Sequence, residues 1–236
     1  MRVAHLLLTV VVLGIPLLVS AQARITGRVE ISHMLHGKNS RGNAEVVVQL
    51  VPLDGQMQPS SMVGHFRLAQ KNKSFEKHLL VIPVGSVVDF PNLDPIFHNV
   101  FSMFEGQRFD LGLYESGSTR SVKFAKPGVS YIFCNIHPQM EAVVVASATP
   151  WFAVTNNDGE FSIQNVPLGH YEVKYWFEQA ATDELSKTHR TVAVEGDIKL
   201  PTVVIREITA VPAQHKNKYG RDYDVTDPNS PYLPGQ

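Results

Sequence analysis

The chain has 236 residues, of which 21 are Lys or Arg and 22 are Asp or Glu, so its formal net charge is −1. A charge this close to zero gives no electrostatic reason to expect a nucleic acid or an anionic membrane surface as a partner. The single cysteine, Cys134, excludes a framework of disulfide bonds within the chain.

The first 23 residues have the pattern of a secretory signal peptide. Arg2 precedes an apolar run over residues 3–19, and small residues close the stretch at Ala21 and Ala23, either of which fits a cleavage site. Pro16 interrupts a run that is already near the lower length limit for a membrane span, which favours cleavage over an uncleaved anchor. No later stretch is long and apolar enough to cross a bilayer. We therefore expect a periplasmic or otherwise exported protein whose mature chain has no membrane span.

Beyond this leader, short β-branched and aromatic runs alternate with Gly, Pro, Asn and Asp, which predicts an all-β fold of sandwiches. In chain order, strands are predicted at 24–31, 44–51, 61–68, 79–84, 86–90, 99–103, 119–124, 129–134, 141–146, 152–155, 160–164, 169–177, 187–194 and 199–205. Only residues 180–187 have a helical pattern. Residues 209–236 are polar and rich in Pro, which predicts a flexible, poorly packed tail.

One predicted hairpin carries residues of chemical interest. The strand over 129–134 ends in Cys134, and His137 and Met140 follow in a short loop before the next strand begins at Glu141. The spacing C-x2-H-x2-M therefore allows a thiolate, an imidazole and a thioether to point at one centre. These are the soft and intermediate ligands that copper prefers.

A fourth ligand has to come from elsewhere, because three ligands from one loop leave one side of the centre open. His98 is the best candidate, since it leads directly into a predicted strand, at 99–103, after a Pro-rich turn. His98, Cys134 and His137 would form a trigonal plane around one copper ion, and Met140 would be the weak axial ligand. Taken singly, each residue has an ordinary structural interpretation; the combination makes the motif specific. His78, which precedes a core strand, is a lesser functional candidate.

The segments 84–90, 92–94, 98–100 and 131–140 together resemble the cupredoxins, especially the plastocyanin and amicyanin type with its short C-x2-H-P-x-M loop. The resemblance extends from about Phe66 to Ala148, and it implies a Greek-key sandwich over residues 61–149 with type 1 (blue) copper. It also implies that Asn99 forms hydrogen bonds between the two ligand-bearing loops. The chain is similar to proteins called methylamine-utilisation proteins as well, a likeness from which we infer no pathway.

The flanking segments, 24–60 and 150–208, resemble the two parts of a carboxypeptidase regulatory-like (transthyretin-type) sandwich. The resemblance rests on residues 25–29 and 43–50 in the first part and on 152–173 in the second. It implies that the cupredoxin domain is inserted into an accessory β-sandwich.

A copper with three strong ligands and one weak ligand has no free position for a substrate, so we expect an electron carrier working with an unidentified redox partner protein. His137 is the expected point at which electrons enter or leave. Two other interpretations stay open: a copper carrier or storage protein, and a structural β-module with a vestigial metal site. A fourth and lesser one, an enzyme with an open copper, requires that Met140 does not coordinate. The sequence contains no catalytic Ser elbow, phosphate loop or paired-carboxylate motif, so we do not expect an enzyme.

Overall fold

The computed structural model of the chain describes residues 22–32, 45–55, 63–103, 106–208 and 215–223. The first strands in chain order are β1 (Gln22–Ser32), β2 (Val47–Pro52), β3 (His65–Arg67), β4 (Gln70–Lys71), β5 (Ser74–Phe75), β6 (Leu79–Pro83), β7 (Val87–Pro91), β8 (His98–Ser102) and β9 (Phe109–Tyr114). They are followed by β10 (Thr119–Lys123), β11 (Gly128–Cys134), β12 (Glu141–Ser147), β13 (Phe152–Val154), β14 (Glu160–Pro167), β15 (Gly169–Trp176), α1 (Thr182–Thr188), β16 (Arg190–Val194), β17 (Ile198–Lys199) and β18 (Val203–Arg206). The all-β prediction is confirmed for this part of the chain.

The strands before and after the centre of the chain form one sandwich, here called the flanking sandwich. One sheet has the order β14-β1-β17 with β18 also paired to β1, and the other has the order β13-β2-β15-β16. Ile25 and Ile163 from the first sheet and Leu50 and Val173 from the second belong to one buried apolar cluster. Along β1, buried and exposed residues alternate, as expected for a strand with one face on a core.

The middle of the chain forms a second sandwich, here called the central sandwich. Its sheets have the orders β10-β7-β3 and β6-β12-β11-β8-β9, and the short β4-β5 pair lies beside them in sequence. Val88 and Phe90 from the first sheet share a buried cluster with Ile132 and Val144 from the second. β8, β11 and β12 are therefore interior strands of one sheet. β11 and β12 form the predicted metal-binding hairpin, and β8 begins at His98.

Strand β9 was not predicted from the sequence. Gly112 has a φ of +67° within it, and the β8–β9 register shifts between Asn99 and Phe101. A glycine in the left-handed region and a register shift both interrupt the alternation by which strands are recognised in a sequence.

The two sandwiches meet at a small apolar junction. Val47 of the flanking sandwich clusters with Val143 and Val145 of the central one, and this cluster is fully or almost fully buried. Beside it, His78 Nε2 lies 2.5 Å from Glu178 Oε2 across the junction. His78 therefore contacts the neighbouring sandwich and not the predicted metal ligands.

The predicted leader mostly lies outside the described residues, which begin at Gln22. Gln22 and Ala23, assigned to the leader from the sequence, instead belong to β1, because Ala23 is 3% exposed and pairs with Val166. Among the residues that the structure describes, no helix has the length and hydropathy needed to cross a membrane. The assignment of the flanking sandwich to the carboxypeptidase regulatory-like type and the domain boundaries stay predictions.

Candidate metal centre

The ligand hairpin is closed by its own backbone. β11 ends at Cys134 and β12 begins at Glu141, as the sequence pattern predicts. Met140 N–H donates to the His137 carbonyl at 3.0 Å, and Cys134 N–H donates to the Met140 carbonyl at 3.2 Å. These two hydrogen bonds hold the short loop in one tight turn, so its side chains are confined to a small region at the end of the sheet.

The strand pairing brings His98 to the same place. β8 pairs with β11 so that Val100 lies opposite Cys134, and His98 is the first residue of β8. His98 Nδ1 lies 3.7 Å from Cys134 Sγ, and His137 Nδ1 lies 3.5 Å from the same sulfur. The candidate ligand atoms of these three residues all lie within 4.8 Å of one another. His98, Cys134 and His137 thus form a buried candidate metal site.

The spacing of these atoms suits a single ion. An ion about 2.0 Å from each nitrogen and about 2.3 Å from the sulfur, bond lengths typical of first-row metals, gives S–ion–N angles of about 110–120° at the observed separations. Such angles lie between those of a tetrahedral and a trigonal centre, so a single ion fits the three donor atoms. One thiolate and two imidazoles in trigonal geometry are the donor set of blue-copper sites.

Burial affects the thiol strongly. Cys134 is 0% exposed, and burial raises the pKa of its thiol, because a thiolate loses its hydration there. The backbone N–H groups of Asn99, Ile136 and His137 act in the opposite direction on this pKa. The sulfur is therefore surrounded by donors suited to a thiolate, the form that binds a metal.

Asp94 orients the imidazole of His98. The Nε2–H of His98 donates to Asp94 Oδ2 at 2.8 Å, which leaves Nδ1 facing Cys134 with its lone pair. Asp94 is held in turn by the backbone N–H groups of Asn72, at 2.6 Å, and Lys73, at 2.9 Å. A carboxylate behind a metal-binding histidine fixes the tautomer and makes the ligand more basic.

The pKa values of this pair follow from the same contacts. Burial lowers the pKa of His98, and the adjacent Asp94 only partly opposes that effect, so the ring is favoured in its neutral form. For Asp94, burial acts to raise the pKa, but the hydrogen bonds from Lys73, His98 and Asn72 together outweigh it and the pKa is lowered. A neutral imidazole beside an ionised carboxylate is the state that binds a metal.

Asn99 joins the ligand-bearing segments by its backbone. Its carbonyl accepts the N–H of Asn135 at 3.2 Å, which links β8 to the ligand loop. Its side-chain Nδ2 donates instead to Asp110 Oδ1 on β9, at 2.7 Å. The predicted bridging role of Asn99 therefore differs in detail, because the side-chain amide is taken by Asp110, which pairs with Phe101 two residues further along β8.

The structure gives the burial of Met140 and His137, which bears on only part of their predicted roles. Met140 is 0% exposed within the loop, and its action as axial ligand stays a prediction. His137 is also 0% exposed. Its ring therefore offers no surface to a partner, and any route for electrons through His137 crosses other protein atoms.

Residues 215–223, here called the C-terminal segment, contact this centre. They belong to the stretch predicted to be a poorly packed tail, yet Tyr223 Oη–H donates to the Cys134 carbonyl at 2.7 Å. The ring of His215 stacks on Phe133 with centroids 4.1 Å apart. Composition alone does not predict these contacts, because the segment is polar and its partners lie more than 80 residues away. The contact between Asp94 and His98, by contrast, could have been predicted, since the two residues are four apart in the sequence.

No protein-family model matches the chain, and no curated protein matches it. Several solved structures do. A copper-containing nitrite reductase from Thermus scotoductus SA-01 is 25% identical over 35% of this chain, with a TM-score of 0.33, and the chain spans only 22% of that enzyme.

Two smaller proteins are matched over nearly their whole length. A purple cupredoxin from Nitrosopumilus maritimus is 24% identical, with 35% of this chain and 99% of that one covered and a TM-score of 0.32. A Cu(I) form of an amicyanin variant is 17% identical, with 42% of this chain and 98% of that one covered and a TM-score of 0.33. A part of the chain is therefore similar to these copper proteins.

Proposed function

We propose that this chain is an exported type 1 copper protein that carries single electrons between redox partners. One observation carries the proposal: two imidazole nitrogens and one thiol sulfur converge on a point from which solvent is excluded. Those donors serve both copper oxidation states, because the thiolate stabilises Cu(I) and the imidazoles suit Cu(II). Met140, buried at the end of the same loop, is the proposed axial ligand.

Copper bound there supplies a one-electron couple, and the chain supplies a fixed site around it. Asp94 holds the ring of His98 with Nδ1 directed at the centre. The backbone hydrogen bonds of the ligand loop keep Cys134 and His137 in place. Rigid ligands have little to rearrange when the charge of the ion changes, which favours fast electron transfer. Since all four side chains are 0% exposed, no open position faces solvent, which favours a carrier over an enzyme.

The test is spectroscopic. The purified chain loaded with one equivalent of Cu(II) should show intense visible absorption from thiolate-to-copper charge transfer and a reversible one-electron couple in voltammetry. Cys134→Ser is the matched control, since it replaces the sulfur by an oxygen of similar shape and should abolish the visible band. A weak band, or a spectrum unchanged in Cys134→Ser, contradicts the proposal.

A copper carrier differs from an electron carrier in how easily it releases its ion. Competition with a Cu(I)-selective chelator separates the two, because an electron carrier should keep copper through many cycles of reduction and oxidation. Loss of the copper within one cycle would instead favour carriage or storage.

A further inference from the structure

The C-terminal segment is an ordered turn. The side-chain Oδ1 of Asn217 accepts the N–H groups of Tyr219, at 2.9 Å, and Arg221, at 3.1 Å. Gly220, with a φ of +74°, lies at the point where the chain reverses. Lys216 Nζ lies 2.6 Å from Asp222 Oδ1 within the same turn. Asparagine side chains that bind the backbone in this way define a turn locally.

This turn is attached to both segments that carry metal ligands. Lys218 N–H donates to Asn135 Oδ1, in the ligand loop, at 2.9 Å. Its Nζ donates to Asp110 Oδ2 at 2.7 Å, and Asp110 is the residue that accepts the side-chain N–H of Asn99. Lys218 therefore connects the residue after Cys134 to the residue after His98 through one hydrogen-bonded chain.

Tyr223 forms the second attachment. Its hydroxyl donates to the carbonyl of Cys134 itself, and it lies 3.1 Å from His215 Nδ1. The rings of Tyr223 and His215 meet edge to face, with centroids 5.3 Å apart, and His215 stacks on Phe133, the residue before the thiol. The C-terminal segment thus contacts the backbone carbonyl of Cys134 and the side chains of the residues before and after it, Phe133 and Asn135.

We propose that the C-terminal segment is part of the metal centre, with Tyr223 and Lys218 as positioning residues that hold the ligand loop against β8. The loop's own hydrogen bonds close it on itself and tie it to Asn99, and the C-terminal segment restrains its outer side. Loss of these outer contacts lets the loop open while both sandwiches stay folded. The copper-based readouts rest on the proposed function; the thiol readout does not.

The test uses the single cysteine of the full chain. In the metal-free protein, the rate of alkylation of Cys134 by iodoacetamide reports opening of the loop. Tyr223→Phe removes one hydroxyl and keeps the ring, and it should speed alkylation about two- to tenfold, the range for one lost hydrogen bond. Lys218→Met should act in the same direction. In the copper-loaded protein, both variants should broaden the charge-transfer band and speed extraction by a Cu(I) chelator by a similar factor.

The chain provides matched controls. Tyr171, in the flanking sandwich, donates its hydroxyl to the Pro167 carbonyl at 2.9 Å, and Lys216 pairs only within the turn among its described contacts. Tyr171→Phe and Lys216→Met should therefore leave the alkylation rate at the wild-type value, once corrected for unfolding. Globally unfolded molecules also expose Cys134 to alkylation. The free energy of unfolding, measured in denaturant for each variant, gives the alkylation rate expected from this route alone. The proposal is overturned if Tyr223→Phe and Lys218→Met alkylate no faster than the controls, or no faster than their unfolding predicts. Faster alkylation in a chain that lacks the charge-transfer band supports the positioning role and removes only the proposed function.

Discussion

The two sandwiches have similar apolar cores but differ in the polar groups that they bury. Among the described residues, the central sandwich buries His98, His137, Asn99, Asn92, Asp94, Gln70, Ser86, Ser102 and Ser130. In the flanking sandwich the buried polar residue is Thr155, with Ser147 and Thr149 at the connection between the two. Burying polar groups costs free energy unless they find partners, and Asn92, Asp94 and His98 have hydrogen-bond partners here. The polar groups are thus concentrated in the sandwich that holds the candidate site. The flanking sandwich, by contrast, has the composition of a scaffold.

The largest expected effects on stability come from a matched pair of substitutions, one in the core of each sandwich. Ile25 and Ile132 are both 0% exposed, one in each core, and Ile132 lies two residues before Cys134. Replacement of either by Ala should lower the free energy of unfolding by about 2–5 kcal/mol, through lost burial and the cavity left behind. Only Ile132→Ala should shift the copper spectrum and potential.

Built-in probes follow each sandwich separately. Trp151 belongs to the core of the flanking sandwich, whereas Trp176 packs against that core and also against the junction cluster that contains Val143 and Val145. The fluorescence of Trp151 in a Trp176→Phe background therefore reports unfolding of the flanking sandwich. The copper chromophore reports the central sandwich. If Ile25→Ala changes the copper spectrum as much as Ile132→Ala does, the two sandwiches are coupled through the junction and the contrast drawn between them fails.

The carboxylate behind His98 gives the next largest effect. Asp94→Asn keeps the shape and a hydrogen bond but removes the charge that makes His98 a stronger ligand for Cu(II). Loss of such a partner typically costs 10- to 100-fold in metal affinity. If that loss falls on Cu(II), the reduction potential rises by about 60–120 mV, at 59 mV for each factor of ten. Voltammetry of the variant measures it, with Asp197→Asn, in the flanking sandwich, as the control that should leave the potential unchanged.

These residues also show how far the sequence predicts the site. Cys134, His137 and Met140 are predictable because the hairpin is local, and the strand pattern on either side fixes its position. His98 is predictable because it begins a strand after a Pro-rich turn. The contacts of Tyr223 are not, since the pairing of a polar tail with a loop more than 80 residues away leaves no period or spacing in the sequence.

Acid should destabilise the central sandwich first. The pKa values of Asp94 and Asp110 are both lowered, although burial alone would raise them. At Asp94 the hydrogen bonds described above outweigh burial. At Asp110 the hydrogen bonds from Lys218, Asn99 and Gly112 do so. A carboxyl whose folded pKa is below its unfolded value near 3.9 stabilises the fold above that pH and loses this contribution as the pH falls through the folded pKa. Each unit of lowering at the buried Asp94 is worth about 1.4 kcal/mol.

In the flanking sandwich, by comparison, the described carboxyl with a lowered pKa is Asp183, which is exposed on α1. Hydrogen exchange of the metal-free protein, followed as the pH falls from about 4 through the lowered pKa values of Asp94 and Asp110, measures the difference. Amides of β8 and β11 should lose protection at a higher pH than those of β1 and β15. Equal loss in the two sandwiches contradicts the expectation that the polar cluster sets the acid sensitivity.

The smallest expected effect is at the junction, where the His78–Glu178 contact joins the sandwiches. The two side chains are 19% and 26% exposed, so a double-mutant cycle with His78→Ala and Glu178→Ala should give a coupling of about 1 kcal/mol. The pair Asp183 and Lys187 on α1, which are 76% and 66% exposed, is the control and should give no more than about 0.5 kcal/mol. The same two substitutions should separate the unfolding transitions seen by tryptophan fluorescence and by copper absorption. A coupling no larger than that of the control would mean that Val47, Val143 and Val145 hold the junction without help from the His78–Glu178 contact.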